Sequence, residues 1–160
     1  LNGALTVEGA ATFNGGIAGK RRVQHLDLTT AAPSVEQSGS ILVFDGTACT
    51  VTLPTCEIGI EYTFLVRVSH GAADAIITTQ TADKLFGSLI RTVDGLNATF
   101  DADNTQVDTT TGTNDNTITM NGTTQGGIVG SRIQITGITG NKWQVHGELI
   151  GSGTQITVFS

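Results

Sequence analysis

The chain has 160 residues and a mass of 16.5 kDa, enough for one main domain with an arm and for a buried core. Its net charge of −6 and pI near 4.8 argue against nucleic acid as a partner, and no apolar run is long enough to span a membrane. Charged residues at 14%, aromatics at 5% and 21 glycines describe short strands joined by tight turns. Apolar residues never hold helical spacing over three turns, which excludes long amphipathic helices.

Leu1–Gly19 contains two short β-like runs, Ala4–Val7 and Ala11–Phe13, set between glycines. Neither run is stable alone, because an isolated strand pair is marginal in water. With Leu5, Val7, Phe13 and Ile17 carrying apolar surface, the segment is expected to be an ordered arm that pairs with neighbouring subunits or a larger assembly. The opening, in mid-pattern and without Met, predicts a natural start further upstream. Gly15–Lys20 approaches a phosphate-binding loop. Its glycine spacing is wrong, however, and Arg21 stands where a Ser or Thr must reach the metal, so it reads as a linker. Lys20, Arg21 and Arg22 form the one basic cluster.

Val23–Leu28 is expected to be a short strand within a connector that Pro33 interrupts. The apolar run Ile41–Phe44 predicts a strand covered on both faces, and Asp45-Gly46 a turn. Next comes Val51–Val68, the most strongly patterned stretch, expected to form the strand–turn–strand centre of the domain. Val51 and Leu53 alternate with threonines, Pro54 ends the ladder, Gly59 permits a bend, and Tyr62, Phe64, Val66 and Val68 share a face. Further strands are expected at Ala75–Thr79 and at Lys84–Val93, the latter bent at Gly87-Ser88. Between Asp94 and Asp115 lie five aspartates and no basic residue, which predicts the most exposed polar loop or hairpin. Thr117–Met120 leads into the hairpin signal Asn121-Gly122, Arg132–Thr136 is expected to pair with Trp143–Val145, and Gln155–Phe159 is a last strand. The expected fold is all-β, an antiparallel β-sandwich or jelly-roll-like barrel with an extended N-terminal arm. Residues 1–38 are assigned to arm and linker and 39–160 to the sandwich.

Few residues point to chemistry. There is no nucleophile-elbow or cysteine-protease motif. His25, His70 and His146 are scattered, and no His/Cys set has zinc spacing. An enzymatic role is not expected, and no cofactor is. If Cys49–Leu53 is a strand, Cys49 and Cys56 span up to about 23 Å, too far for a disulfide, which predicts free buried thiols. Asp101, Asp103 and Asp108 are the one calcium candidate, although the glycine and glutamate of a helix-flanked calcium loop are missing. Tyr62 and Trp143 sit in alternating strands and are expected in the core, not on a sugar-stacking platform.

Taken in order, LTVEGAATFNGGIAG, ILVFDG, VTLP, EYTFLV, ITMNGTTQGGIVGSRIQI, KWQVHG and GSGTQITVFS resemble small virion structural proteins of tailed bacteriophages. The resemblance spans nearly the whole chain and rests on the order of the motifs. It implies a head-decoration (cement) or head-fibre protein: a structural, commonly trimeric β domain on the outer surface of the capsid, made in the host cytoplasm. The implied partners are the major capsid protein and further copies of the chain, with no nucleic acid and no membrane. Leu5, Val7, Phe13, Ile17, Lys20, Arg21 and Arg22 are the expected capsid or intersubunit contacts. The alternative is a tail-fibre or receptor-binding tip whose Asp94–Asp115 loop meets a host glycan. A sugar lyase or hydrolase would need carboxylates paired across a cleft, and these aspartates lie in one stretch.

Overall fold

In the computed structural model, residues 21–71, 73–93, 105–111, 114–152 and 154–160 are described. They form eleven strands: β1 (Val23–Leu26), β2 (Thr30–Ala31), β3 (Ser40–Asp45), β4 (Cys49–Thr52), β5 (Glu61–Val68), β6 (Ala75–Thr78), β7 (Lys84–Val93), β8 (Thr105–Thr109), β9 (Thr117–Met120), β10 (Arg132–Thr139) and β11 (Lys142–Gly151). One 3-10 turn, Val35–Gln37, precedes β3. A seven-stranded sheet has the order β1-β3-β5-β10-β11-β7-β8 and a four-stranded sheet the order β2-β4-β6-β9. The fold is all-β and sandwich-like, as the alternating patterns predicted.

The expected antiparallel pairing is corrected, because the sheets are mixed. β1, β3 and β5 stack in parallel in the larger sheet while β2, β4 and β6 stack in parallel in the smaller one. The chain therefore winds as a coil, crossing from one sheet to the other with nearly every turn. Parallel neighbours need a long return path, and here the strand in the opposite sheet supplies it. Short connections that would ordinarily close antiparallel hairpins instead turn the chain toward the other layer. Gly46, at φ +84, makes one such corner after β3. The central stretch is divided in the same way: Val51 lies in the small sheet, Phe64 in the large one, and Pro54–Ile60 crosses between them. Residues 21–38, which the sequence assigned to a linker, contribute the first strand of each sheet.

Antiparallel geometry enters later. The β10–β11 hairpin forms as expected, with Ile133 opposite Gly147 and Ile135 opposite Val145. It fills the slot between β5 and β7, pairing antiparallel with β5 and parallel with β7. Two expectations are corrected here. Asn121-Gly122 does not close a hairpin, since β9 pairs with β6 and the chain turns into a loop bridged between Thr123 and Gly126. Gln155–Phe159 is not a strand. It runs as a tail that touches β9 through an isolated bridge between Ile118 and Phe159.

Inward positions of both sheets form one core. Leu42, Phe44, Tyr62, Phe64, Leu85, Leu89, Ile133, Ile135, Trp143 and Val145 from the larger sheet meet Cys49, Val51, Ile77, Ile118 and Met120 from the smaller. Burying each large side chain is worth about 1.5–3 kcal/mol. Phe44 stacks on Phe64 at 5.9 Å, and Tyr62 tilts against Trp143 at 6.2 Å, so both aromatics proposed for the core are there. The Tyr62 hydroxyl donates to the Ser34 carbonyl at 2.7 Å. Val68 departs from the predicted face: beyond the irregularity near Asp45 it is 42% exposed.

Candidate interaction face

The register of the larger sheet fixes which side chains share its outer face. One row reads His25, Val43, Leu65, Arg132, Glu148, Ile90, Val107 across the seven strands. The next reads Val23, Ile41, Thr63, Gln134, His146, Ser88, Thr109. The first row is apolar at β3 and β5 and the second at β1 and β3, and both are polar over the β10–β11 hairpin. The first turns apolar again at β7–β8. Gly130 and Gly147 carry no side chain, which leaves a hollow of about 350 Å³ lined by Ile90, Arg132, Gln134, His146 and Glu148. Arg132 and Glu148 are register partners but form no ion pair, and among the described residues the exposed Arg132 guanidinium has no acceptor.

Beside this lies an apolar depression of about 490 Å³, lined by Val23, Val43, Leu65, Val66 and Val129 with His25 and Arg67 at its rim. Its charged border is a compact cluster. Arg67 Nε donates to one oxygen of Asp45, and His25 Nδ1 lies 2.7 Å from the other. The hydrogen bond from Arg67 holds the Asp45 carboxyl below its usual range against slight desolvation, with His25 helping. The same bond raises the already high pKa of Arg67.

Of the arm residues, Leu5, Val7, Phe13, Ile17 and Lys20 lie outside the described residues. Arg22 is exposed at the start of β1, where its carbonyl accepts from Ile41 N–H. Arg21 is tied to its own domain, donating to the Gly39 carbonyl at 2.7 Å and to Thr63 Oγ1 at 3.2 Å, with Glu61 at 3.8 Å. Of the calcium candidates, Asp101 and Asp103 lie outside the described residues. Asp108 is already engaged: it accepts from Val158 N–H at 2.7 Å and from Thr157 Oγ1 at 3.3 Å, and it sits 3.8 Å from Arg91 Nε. The stretch expected to be the exposed acidic loop also supplies β8, the edge strand paired with β7. Asp115 at its end is buried and accepts from the Thr111 backbone and hydroxyl. No group of three or more His, Cys, Asp or Glu among the described residues is placed to hold a metal ion.

The remaining reactive side chains are enclosed. Cys49 and Cys56 are free and buried, as the strand spacing predicted. Burial pushes both thiols up, with Asp27 adding to the effect at Cys49 and Asp83 at Cys56, so neither is an activated nucleophile. Cys56 acts as a clasp. Its N–H donates to Asp83 at 2.9 Å and its sulfur lies 3.0 Å from the Thr139 carbonyl. Tyr62 is pushed up to about 12, by burial first and then by Glu36 and Glu57. His70 is 1% exposed and sits edge-on to Phe44, whereas His146 is exposed on the outer face.

Sequence reasoning missed the outer face of the larger sheet. Its signal was present in the outward positions Arg132, Gln134, Gln144, His146 and Glu148, the polar half of the same alternation that located the core. No family model, curated protein or solved structure matches the chain. No helix among the described residues is long and apolar enough to cross a membrane.

Proposed function

We propose that this chain is a structural virion protein, a decoration or cement protein on the outside of a tailed-phage head. In this reading it braces junctions between major capsid protein subunits as a trimer and has no catalytic role. The supporting observation is the unlike treatment of the two ends of the coil. At one end the C-terminal tail covers the small sheet's edge, leaving β8 of the larger sheet as the open strand there among the described residues. Thr119 N–H donates to the Val158 carbonyl, Thr117 N–H to the Ser160 carbonyl, and Ser160 N–H back to Thr117. At the other end β1 and β2 are both edge strands, and no strand among the described residues pairs with their free sides. Residues 1–20 lead into that end. Open strand edges next to a glycine-punctuated, β-patterned arm suit assembly by strand addition between neighbours.

The test is occupancy of undecorated heads by the full chain and by a chain lacking residues 1–20, which leaves Arg21 and its bonds in place. Loss of binding by the truncated chain, with its circular dichroism unchanged, is the expected result. Undiminished occupancy overturns the role of the arm. Location of the protein on tails instead of heads overturns the decoration reading.

A further inference from the structure

We infer that the outer face of the seven-stranded sheet docks a protein surface that is acidic, with apolar side chains at its centre. This deepens the decoration reading, on which it rests for the identity of the partner but not for the chemistry of the face. The chain has eight basic residues, and five of them, Arg21, Arg67, Lys84, Arg132 and Lys142, lie on this face. Among the described residues three acidic ones share it: Asp45, Glu61 and Glu148. A chain of net charge −6 thus gathers a local positive excess on one side.

Exposed apolar residues gather on the same side. Among the described residues, Val23, Phe86, Ile90, Val107, Val129 and Ile138 are all at least 37% exposed and belong to this face or its rim. The outer face of the small sheet offers no comparable surface. Its strand positions are Thr30, Thr50, Thr52, Thr78, Thr117 and Thr119 with Ile76, and they carry no charge.

Charge complementarity selects the occupant. Two copies of a net-positive face repel when apposed, which disfavours a symmetric dimer through it. A bare polyanion would engage Arg132 and Lys142 but leave the apolar flanks uncovered, so it reports the charge of the face by weak binding and is not its full occupant. An acidic, partly apolar protein surface satisfies both features. The glycine-floored hollow gives it a point of attachment, since a partner carboxylate entering there meets the Arg132 fork, which has no partner among the described residues, with His146 lining the same hollow.

The first arm of the experiment titrates the full chain with poly-L-glutamate and follows its backbone amides by NMR. Shifts are expected along β5, β7, β10 and β11, weakening as salt is raised. The R132E/K142E variant, both of whose positions are exposed, is expected to bind at least about tenfold more weakly with unchanged circular dichroism. Shifts on the small sheet, or equal binding by the variant, overturn the inference. The second arm measures sedimentation with undecorated heads. Wild-type binding that the variant retains in full overturns the face, whereas failure of the wild type to bind heads while the poly-L-glutamate shifts persist sinks only the decoration reading. If the variant instead changes the molar mass of the protein alone, the occupant is a second copy and the acidic partner is wrong.

Discussion

His70 shows how one buried side chain can set the response of the fold to acid. Its ring packs against Phe44 at 5.5 Å, and among the described residues neither ring nitrogen has a hydrogen-bond partner in good geometry. Burial lowers its pKa, opposed in part by the Ala73 backbone and the Asp74 charge. The folded state therefore favours the neutral ring, while the unfolded chain takes up a proton near pH 6.5. Stability from this group is full above that pH and falls as the pH drops below it, by at most about 1.4 kcal/mol per pH unit. Urea denaturation at pH 7.5 and 5.5 is expected to show this loss in the wild type and a smaller loss in His70→Phe. An equal loss in both would show that His70 does not titrate in this range. The sequence leaves open whether His70 lies at the surface or packs inside. A glycine 52 positions away contributes to its burial: a Cβ on Gly122 would lie 1.2 Å from the His70 carbonyl oxygen, so only glycine lets the two loops approach this closely.

Among the elements, the C-terminal tail is the one the sequence misassigned most, and Arg91 explains why. The tail has the alternation of a strand but meets β9 only through a few backbone hydrogen bonds, and a side chain from β7 ties it down as well. Arg91 is 4% exposed. Its Nη1 donates to the Ile156 carbonyl, its Nη2 to Gln106 at 3.0 Å, and its Nε faces Asp108 at 3.8 Å. Asp108 in turn holds Val158 N–H, so β7, β8 and the tail are joined by one buried charge pair. Removing one partner of such a pair strands the other, and Arg91→Ala is expected to cost about 3–5 kcal/mol. Hydrogen exchange reads the effect directly: the amides of Val158, Phe159 and Ser160 should lose protection first. Unchanged protection there would mean that the contacts with β9 hold the tail without Arg91. Strands whose apolar residues alternate were legible at this scale, and β9 and β10–β11 lie where the pattern put them. The tail was not, because a lone arginine far away in sequence leaves no local pattern.

For the molecule as a whole, the alternation of the chain between the two sheets makes the layers interdependent. No contiguous half of the described chain contains one sheet without part of the other. Unfolding is expected to be a single transition, with Trp143 fluorescence and far-ultraviolet circular dichroism giving coincident curves. Two separated transitions would show that the sheets unfold independently. Folding should be slow for a chain of this size, in the millisecond-to-second range or beyond, because the parallel pairings join strands distant in sequence.

The sequence by itself determined the strand content, most strand positions, the buried aromatics and the free state of both thiols. All of these follow from local alternation and from the reach of an extended chain. Only the tertiary structure decided that β1, β3 and β5 run parallel, that Val51 and Phe64 lie in opposite layers, and that the basic side chains of five separate segments share one face. Alternation fixes which side of a strand is buried but says nothing of which strand lies beside it. An interaction face assembled from side chains of several neighbouring strands becomes visible only when that order is known.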